Sequence, residues 1–349
     1  MNKMMKRFWA GTLSTVMLLM LTACGGSGSA DDGKKSNGNT ASGDDVIYIS
    51  MAHGSSEETA QHQAMLAMKD YIEEKSGGKM QVTIYPNNQM GANREATEAV
   101  MAGNLTMMMN STATMTSFVP DCAIYDVPFA FANEAAIDKT IQNEELLEIL
   151  NKKCRETGLT LLMQTQSSFR QLSCNKDVHT PDDLKGLTIR VQENEYQIAT
   201  WKALGANATP LAFNELYTAL QQGTVDGQEN PVELFVAQKF YEQQKYLIKT
   251  NHLGFIGMWI INSDFYDSLS DENRQILNDA CAVGLARNNE YSASSIAEKE
   301  DFLIQQGTTI TTLTPDELET FKAKTADVWE SVKNNVSSEV WSAFEATLN

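Results

Sequence analysis

The residue with the most distinctive chemistry in this chain is Arg190, a charged side chain within an apolar stretch. Leu187, Ile189 and Val191 alternate with polar residues in LKGLTIRVQEN, residues 184–194, as is typical of a β-strand. Alternation puts Arg190 on the face opposite these three residues. Both faces of an α/β sheet are covered, so an arginine there must pair with an acid or face a cleft. A structural ion pair and a carboxylate-binding site are both open at this point.

The other reactive residues form no catalytic or metal-binding motif in the sequence. The chain has no GxSxG, HExxH or P-loop, and no GxGxxG after a predicted strand. Its histidines are scattered and its cysteines form no CxxC. Paired acids such as Glu193 and Glu195 could act as general acid and base, but in so acidic a chain they are more typical of a solvated surface. We therefore expect no enzyme activity, no metal and no cofactor.

The position of Arg190 in its strand favours a ligand site. It lies near the predicted carboxyl end of the strand, and ligands of open α/β sheets bind at that end. The net charge of −18 makes any basic site stand out from its surroundings. The same acidity excludes nucleic acid as a partner.

The amino-terminal segment predicts export and a lipid anchor. Lys3, Lys6 and Arg7 precede a short apolar run, which is typical of a signal peptide over residues 1–23. The sequence Leu-Thr-Ala-Cys at its end resembles a bacterial lipobox, so we expect Cys24 to be lipidated. Residues 24–45 contain no large apolar side chain and should form a flexible linker. The folded body would then lie outside the cytoplasm, held to the cell membrane by its lipid.

The elements that must position Arg190 follow an α/β pattern. In the first half of the body, strands and helices alternate, which implies parallel pairing in an α/β lobe. The predicted elements are strands at 46–51, 80–85 and 105–109, and helices at 57–75 and 93–101.

A second α/β unit begins near Thr160. It holds a strand TLLMQ continued by extended chain, a capped helix start at Thr180, the Arg190 strand, a helix at 214–222 and a short strand from Thr224. Residues 270–306 form a helical stretch of roughly 50 Å, long enough to lie across two lobes. Thr314-Pro315 opens the final helices.

Four cysteines lie in the body, and the sequence does not decide their state. Export permits a disulfide, four cysteines allow three pairings, and buried free thiols fit equally well. They are Cys122, Cys154, Cys174 and Cys281.

Six segments, in this order, carry a resemblance to a known family. They are GGKMQVTIYPNNQMG, DVPFAFAN (126–133), SFRQL (168–172), DLKGLTIRV, ALGANATPLAFNELYTALQQGTVDGQENP (203–231) and KYLIKTNH. The chain resembles the extracytoplasmic solute-binding protein of a tripartite ATP-independent periplasmic (TRAP) transporter, of the DctP type. The resemblance covers nearly the whole body, and its GLxIRV and DGQENP segments are highly specific.

The resemblance implies an α/β, two-lobe periplasmic-binding-protein-like fold, with a hinge and a long helix spanning both lobes. Lobe I would comprise residues 46–168 and 256–298, and lobe II residues 169–255 and 299–349. The lobes would close over one organic acid. We expect a monomer that docks on the membrane subunits of a TRAP transporter.

The resemblance also implies roles for four residues. Arg190 matches the arginine that pairs with the ligand carboxylate, and Asn230 matches an asparagine that bonds to the same group. Arg170 resembles a second basic contact, and Phe213 an aromatic that packs on the ligand. The residue pattern by itself points only to Arg190.

The first lobe departs from the sialic-acid branch of the family. Ala52, Asn93 and Ser111 stand where that branch uses Asn, Asp and Glu, which argues against sialic acid. The candidate contacts for the distal end of the ligand are polar: His53, Ser55, Asn93, Arg94, Asn110 and Ser111. The Asn and Ser donors favour a sugar acid such as a uronate, whereas a second carboxylate would prefer Arg94 or His53.

The expected function is capture of a small organic acid and its delivery to a TRAP-type transporter. An alternative of a different class is a ligand sensor that passes its closed state to a receptor or kinase. The sequence does not separate the two.

Overall fold

The computed structural model describes residues 46–348, apart from the side chain of Ser295. The predicted signal peptide (1–23), the predicted lipidation of Cys24 and the predicted linker (24–45) lie outside these described residues. Within residues 46–348, no helix combines the length and the apolar character that crossing a membrane requires.

Nine strands of the described chain form one mixed sheet. Its order is β2-β1-β3-β8-β4-β7-β5-β6, and β9 pairs with β8 outside this path. The strands are β1 (Ile47–Ala52), β2 (Met80–Tyr85), β3 (Met107–Ser111), β4 (Leu159–Cys174), β5 (Thr188–Val191), β6 (Asn207–Pro210), β7 (Gly227–Asn230), β8 (Tyr246–Asn262) and β9 (Thr309–Thr312). Strand β1 pairs in parallel with β2 and β3, and β5 with β6 and β7, as the alternation of strands and helices predicts.

The two long strands β4 and β8 join the two halves of the sheet. They run antiparallel, from the pairing of Leu159 with Asn262 to that of Cys174 with Tyr246. The register shifts between Gln166 and Phe169 and again between Arg170 and Leu172. The predicted lobe boundaries at 168 and 255 fall beside these irregularities. Bulges bend a strand locally, so this stretch suits a hinge.

Helices cover both faces of the sheet. They are α1 (Ala60–Lys75), α2 (Asn93–Met101), α3 (Thr112–Met115), α4 (Glu134–Ile141), α5 (Glu144–Arg155), α6 (Glu195–Ala203), α7 (Leu216–Gln221), α8 (Val232–Ala237), α9 (Ser263–Ser268), α10 (Asp271–Gln305), α11 (Pro315–Lys324), α12 (Ala326–Asn335) and α13 (Ser338–Thr347). Short 3-10 helices span Pro120–Asp126, Pro181–Leu184, Phe213–Glu215 and Phe240–Glu242.

The long helix α10 contacts both halves of the molecule. Its 35 residues extend about 52 Å at 1.5 Å per residue. It packs against α1 and β4 and also against α8 and β9. The fold is therefore the expected mixed α/β architecture with two lobes and a helix across both.

Two of the buried clusters matter for the site. The α1 cluster joins Met65 and Met68 of α1 to Met51 of β1 and Trp259 of β8. The α7 cluster belongs to the other half of the sheet. It joins Leu216, Leu220, Val232, Phe235, Phe240 and Leu247.

The last two helices, α12 and α13, pack against residues of lobe I, although the prediction assigned them to lobe II. Val332 of α12 and Phe344 of α13 are buried in one cluster with Val100 and Leu105, which lie in the range assigned to lobe I. Residues 299–349 were assigned to lobe II. Within this range, Leu303, β9 and α11 do pack in that second half; Phe321 of α11 is buried with Ile189 and Trp201. The exact lobe boundaries stay a prediction.

Most predicted elements agree with the structure within about two residues, but three details differ. Helix α1 begins at Ala60 rather than at 57, and the Thr180 capping box opens a 3-10 helix, Pro181–Leu184, rather than an α-helix. The strand expected from Thr224 begins at Gly227. Of the two open possibilities for the body cysteines, the structure has buried free thiols at Cys122, Cys154, Cys174 and Cys281.

Candidate ligand-binding site

A cavity lies between the two halves of the sheet. It is lined from the first half by Gly54, Ser55, Gln61, Ala92, Asn93, Met109, Asn110, Ser111, Thr114 and Phe255, and from the second half by Arg190, Gln192, Glu193, Leu211, Ala212, Phe213, Asn230 and Leu234. Seven of the ten sequence-predicted contacts are therefore brought together here. Arg170, His53 and Arg94 are not among the lining residues.

Arg190 lies at the carboxyl end of β5 and is 2% exposed. Its Nε and Nη2 donate to the carbonyl oxygen of Leu211 at 2.9 and 2.7 Å. Its Nη1 is buried without a hydrogen-bond partner among the described residues. Nη1 and the second proton of Nη2 can therefore donate two parallel hydrogen bonds to a carboxylate.

The charge of Arg190 survives burial. Burial lowers the pKa of Arg190 to about 10, with a contribution from Arg170, while Glu229 and Glu193 act in the opposite direction. The side chain is thus protonated at neutral pH. The guanidinium carbon lies 6.0 Å from the centre of the Phe213 ring, which itself packs edge-on against Phe240. Phe213 can therefore cover a ligand held at Arg190.

Asn230 and Arg170 meet behind the cavity wall. Asn230 ends β7, lines the cavity and is 1% exposed. Its Oδ1 accepts a hydrogen bond from Arg170 Nη2 at 3.0 Å, and its Nδ2 donates to Gln228 at 2.5 Å. Asn230 is thus held by both of its amide atoms at the edge of the site.

Arg170 is already paired with an acid. Its guanidinium forms a buried ion pair with Glu229, in which Nη2 lies 2.8 Å from Oε1. His252 Nε2 lies 3.1 Å from the same carboxylate. Burial alone would raise the pKa of Glu229, but the Arg170 charge and the hydrogen bonds from His252 and Arg170 lower it to about 2. The charge of Arg170 is therefore compensated by a direct ion pair inside the protein, whereas Arg190 donates hydrogen bonds only to a carbonyl.

The first half contributes neutral polar side chains. Ser55 Oγ accepts a hydrogen bond from Gln61 Nε2 at 2.5 Å. Asn110 donates to Thr97 Oγ1 at 2.9 Å, and its Oδ1 accepts from the Ser111 amide. Asn93, at the start of α2, completes this wall. All of these groups can exchange hydrogen bonds with ligand hydroxyls.

His53 and Arg94 lie away from this cavity. His53 is buried against His62, with Nε2 2.9 Å from His62 Nδ1, and borders a smaller neighbouring cavity. Burial, with a smaller contribution from His62, lowers the pKa of His53 to about 3, so it is neutral. Arg94 is half exposed on α2 and faces Glu98 at 3.4 Å.

Gln192 was not predicted from the sequence, although strand alternation points to it. Gln192 follows Arg190 by two residues and therefore shares its face of the strand. Its amide lies 2.8 Å from Ser111 Oγ, across the cleft. With the amide nitrogen facing Ser111, the amide oxygen accepts from Arg170 Nη1 at 3.0 Å. Gln61 was also missed, since a polar residue in the first turn of a helix gives no signal of its own.

A second polar bridge crosses the cleft at Asp126. Its carboxylate accepts hydrogen bonds from Asn194 at 2.8 Å and from Gln197 at 3.0 Å. Asn194 also donates to the Ala113 carbonyl at 3.0 Å. Burial raises the pKa of Asp126 to about 6, although the hydrogen bonds from Gln197, Asn194 and Thr116 act against the shift. The structure therefore holds the two halves in contact, as in a closed binding protein.

The lining of the cavity suits a polar ligand with a negative charge. It joins one buried cation, Arg190, to one carboxylate, Glu193, and to amides, hydroxyls and apolar side chains. Across residues 46–348, no group of three or more His, Cys, Asp or Glu side chains is placed to hold a metal ion.

Comparisons with known proteins agree with this geometry. Residues 51–335 match the family model DctP, described as bacterial extracellular solute-binding protein, family 7. The chain is 31% identical over 300 residues to a C4-dicarboxylate-binding periplasmic protein of Rhodobacter capsulatus, covering 84% of this chain and 86% of the relative.

Two solved structures have the same fold. A TRAP periplasmic solute-binding protein from Shewanella oneidensis with bound succinate is 26% identical, with a TM-score of 0.83 over 87% of this chain and all of the other. A sugar acid binding protein from Advenella mimigardefordensis in complex with galactonate is 28% identical, with a TM-score of 0.83 over 87% of this chain and 98% of the other. The chain spans nearly the whole length of these proteins and belongs to the DctP family of bacterial extracellular solute-binding proteins, which act in TRAP transport.

Proposed function

We propose that this protein captures a sugar acid with a single carboxylate and delivers it to the membrane subunits of a TRAP transporter. Arg190 and Asn230 would hold the carboxylate, and Phe213 would cover it. Ser55, Asn93, Asn110 and Ser111 would bond to the hydroxyls of the ligand, together with Gln61 and Gln192. The proposed ligand is more specific than family membership alone indicates, because the similar proteins include both a C4-dicarboxylate-binding protein and a sugar acid binding protein.

The charge balance of the cavity is the observation that carries the proposal. Arg190 Nη1 has no partner within the described chain, whereas Arg170 is neutralised by Glu229. One cation without a direct ion pair suits one carboxylate, because a second buried anion would lack a partner. Glu193 also lines the cavity and would repel a second carboxylate. The remaining lining polar groups are neutral and suit hydroxyls.

The test is calorimetric titration of the purified protein with D-galactonate, D-glucuronate and succinate under one set of conditions. We expect at least one of the two sugar acids to bind at least about tenfold more tightly than succinate, which corresponds to about 1.4 kcal/mol. Tighter binding of succinate than of either sugar acid would contradict the monocarboxylate assignment and favour a dicarboxylate.

Delivery to a transporter needs a separate test. Cells that hold the protein and its membrane subunits should take up the bound acid, and an Arg190→Ala variant should abolish this uptake. Uptake that persists with the variant would show that binding at Arg190 is not required for transport of the acid.

The proposal includes a lipid anchor on Cys24, which rests on the lipobox-like sequence alone. The wild-type chain should sediment with membranes and carry a lipid by mass spectrometry. Cys24→Ala should leave it free of lipid. A wild-type chain without lipid would contradict this part of the proposal only.

A further inference from the structure

Glu233 reaches from one half of the molecule to the start of a helix in the other half. It lies in the first turn of α8 and is only 2% exposed. Its Oε1 accepts a hydrogen bond from the backbone amide of Ala60, the first residue of α1, at 2.6 Å. The preceding residue Thr59 makes no side-chain cap. The cap of α1 is therefore supplied by a carboxylate 173 residues further along the chain.

The contact joins two helices whose main anchors lie in different groups of side chains. Met65 and Met68 anchor α1 in the α1 cluster, whereas Val232 and Phe235 anchor α8 in the α7 cluster. Between them, Leu234 of α8 packs into the α1 cluster. The two segments also meet where Ser56 Oγ donates to the Ala237 carbonyl at 3.5 Å. The Glu233 bond can form only while the two halves are together.

The surroundings of Glu233 make this bond strong and specific. The amino end of a helix attracts negative charge, and charge-assisted hydrogen bonds exceed neutral ones in strength. Oε2 is buried with no hydrogen-bond partner among residues 46–348. Burial raises the pKa of Glu233, while the Ala60 amide and the charge of Lys299 on α10 act against this. The carboxylate therefore depends on the α1 amide for its hydrogen bond and on Lys299 for a nearby opposite charge.

The first turn of α1 is also part of the ligand cavity. Gln61 follows Ala60 directly, lines the cavity and donates to Ser55 Oγ, which lines it as well. Leu234, next to Glu233, contributes to the same cavity. Glu233 thus fixes a turn that carries one wall of the site.

From these contacts we infer that Glu233 is an interlobe latch, a positioning residue that holds the first turn of α1 against α8 and so retains the acid in the closed cleft. The inference rests on the proposed function for its ligand. Because the latch forms after the acid has entered, it should slow dissociation and leave association nearly unchanged.

The test compares wild type with Glu233→Ala and Glu233→Gln. For D-galactonate and D-glucuronate, we expect Glu233→Ala to dissociate about tenfold to a hundredfold faster, with association within about twofold of wild type. Glu233→Gln keeps an acceptor without its charge, so it should dissociate about threefold faster. Amide hydrogen exchange of a peptide covering residues 59–66 should be faster in both variants.

Glu317→Gln is the matched control. Glu317 also caps a helix, by accepting from the Thr314 amide at 2.7 Å at the start of α11. Its other partner is His179, which lies in neither α1 nor α8. It should change neither dissociation nor exchange in residues 59–66. Dissociation from Glu233→Ala within about twofold of wild type would overturn the latch.

Failure of the proposed function gives a different result. If neither acid binds the wild type, the ligand assignment fails. Exchange in residues 59–66 is then measured with the organic acid that a thermal-shift screen of dicarboxylates and keto acids shows to bind, and it decides the latch. Faster exchange in the Glu233 variants would then support it, and unchanged exchange would overturn it. If Glu233→Ala does not fold, Glu233→Gln gives the same decision, since it retains size and an acceptor.

Discussion

Two arginines lie beside the ligand cavity, and their surroundings give them different roles. Arg170 donates to the Glu229 carboxylate and its backbone oxygen, so its charge is used inside the protein. Arg190 donates only to the Leu211 carbonyl and keeps Nη1 without a described partner. A buried cation left with neutral acceptors gains most from an incoming anion. We therefore assign carboxylate binding to Arg190 and wall support to Arg170.

Replacement of Arg190 tests this assignment. Arg190→Ala should weaken binding of the tightest sugar acid by roughly 3–5 kcal/mol, because the buried carboxylate would lose its partner. Calorimetry should then detect no binding at concentrations that saturate the wild type. Arg155→Ala is the control, since Arg155 pairs with Asp267 on the surface. Affinity near that of wild type in Arg190→Ala would refute the role of the guanidinium.

A buried histidine should make stability depend on pH. The pKa of His53 is lowered to about 3 by burial and by His62, whereas in the unfolded chain it is about 6.5. The unfolded state therefore binds a proton first as the pH falls. This contribution to stability is present above pH 6.5 and is lost towards pH 3, by up to about 1.4 kcal/mol per pH unit.

Denaturant unfolding at pH 7, 6 and 5 measures this effect. The stability of His53→Gln should fall less with decreasing pH than that of the wild type, and Asp126 should contribute equally to both. His179→Gln should act in the opposite sense, because the hydrogen bond to Glu317 raises the pKa of the exposed His179. Parallel pH curves for wild type and His53→Gln would exclude the effect.

The sequence predicted those features of the site that follow from the alternation of side chains along a strand. Strand periodicity placed Arg190 opposite Ile189 and Val191, and the structure buries both of these with Trp201. The same rule would have found Gln192. The Arg170–Glu229 pair was not predictable, because its members lie 59 residues apart and acids are abundant in this chain.

At the scale of elements, β7 connects the sheet core to the site. Its first residue is Gly227, and its last is Asn230 at the cavity. A Cβ on Gly227 would lie 2.6 Å from the Ser173 backbone oxygen and 2.9 Å from Cys174 Cβ. The close approach of β4 to β7 thus requires glycine here, and it places Glu229 opposite Leu172 in the ladder.

Gly227→Ala should therefore disturb both stability and binding. Backbone atoms cannot move aside as a flexible side chain does, so we expect a loss of about 1–3 kcal/mol of stability. Affinity for the tightest sugar acid should fall as well, because Asn230 shifts with its strand. Thr309→Ala on the exposed edge of β9 should change both by little. If Gly227→Ala has the melting temperature and affinity of the wild type, the pairing of β4 with β7 can accommodate the added methyl group, and the prediction is wrong.

Sequence reasoning found the alternating strands and missed β8. Residues 253–262, LGFIGMWIIN, are apolar without alternation and buried on both faces, so the pattern favours no single element. Its glycines obscure the strand further. One of them is required by packing, because a Cβ on Gly257 would lie 2.4 Å from Met109 Cε. The pairing of β4 with β8 depends on contacts between residues that are distant in sequence, and local sequence patterns do not contain this information.

At the scale of the whole molecule, closure and ligand binding are coupled through buried polar groups. Contacts across the cleft include Ser111 with Gln192, Asn194 with Asp126 and Ala60 with Glu233. Closure without a ligand also buries Arg190 Nη1 with no partner in the described chain, which costs roughly 1–3 kcal/mol or more for a charged group. A carboxylate removes that cost and so favours the closed state.

Small-angle X-ray scattering tests this coupling. We expect the ligand-free protein to have a larger radius of gyration than the closed structure predicts, and the tightest sugar acid to reduce it. The same acid at about a hundred times its dissociation constant should add about 2.7 kcal/mol to the free energy of unfolding. Arg190→Ala should show neither change, because the differential contact that drives closure is gone. Compaction of that variant by the acid would mean that closure depends on the hydroxyl contacts of the first half instead.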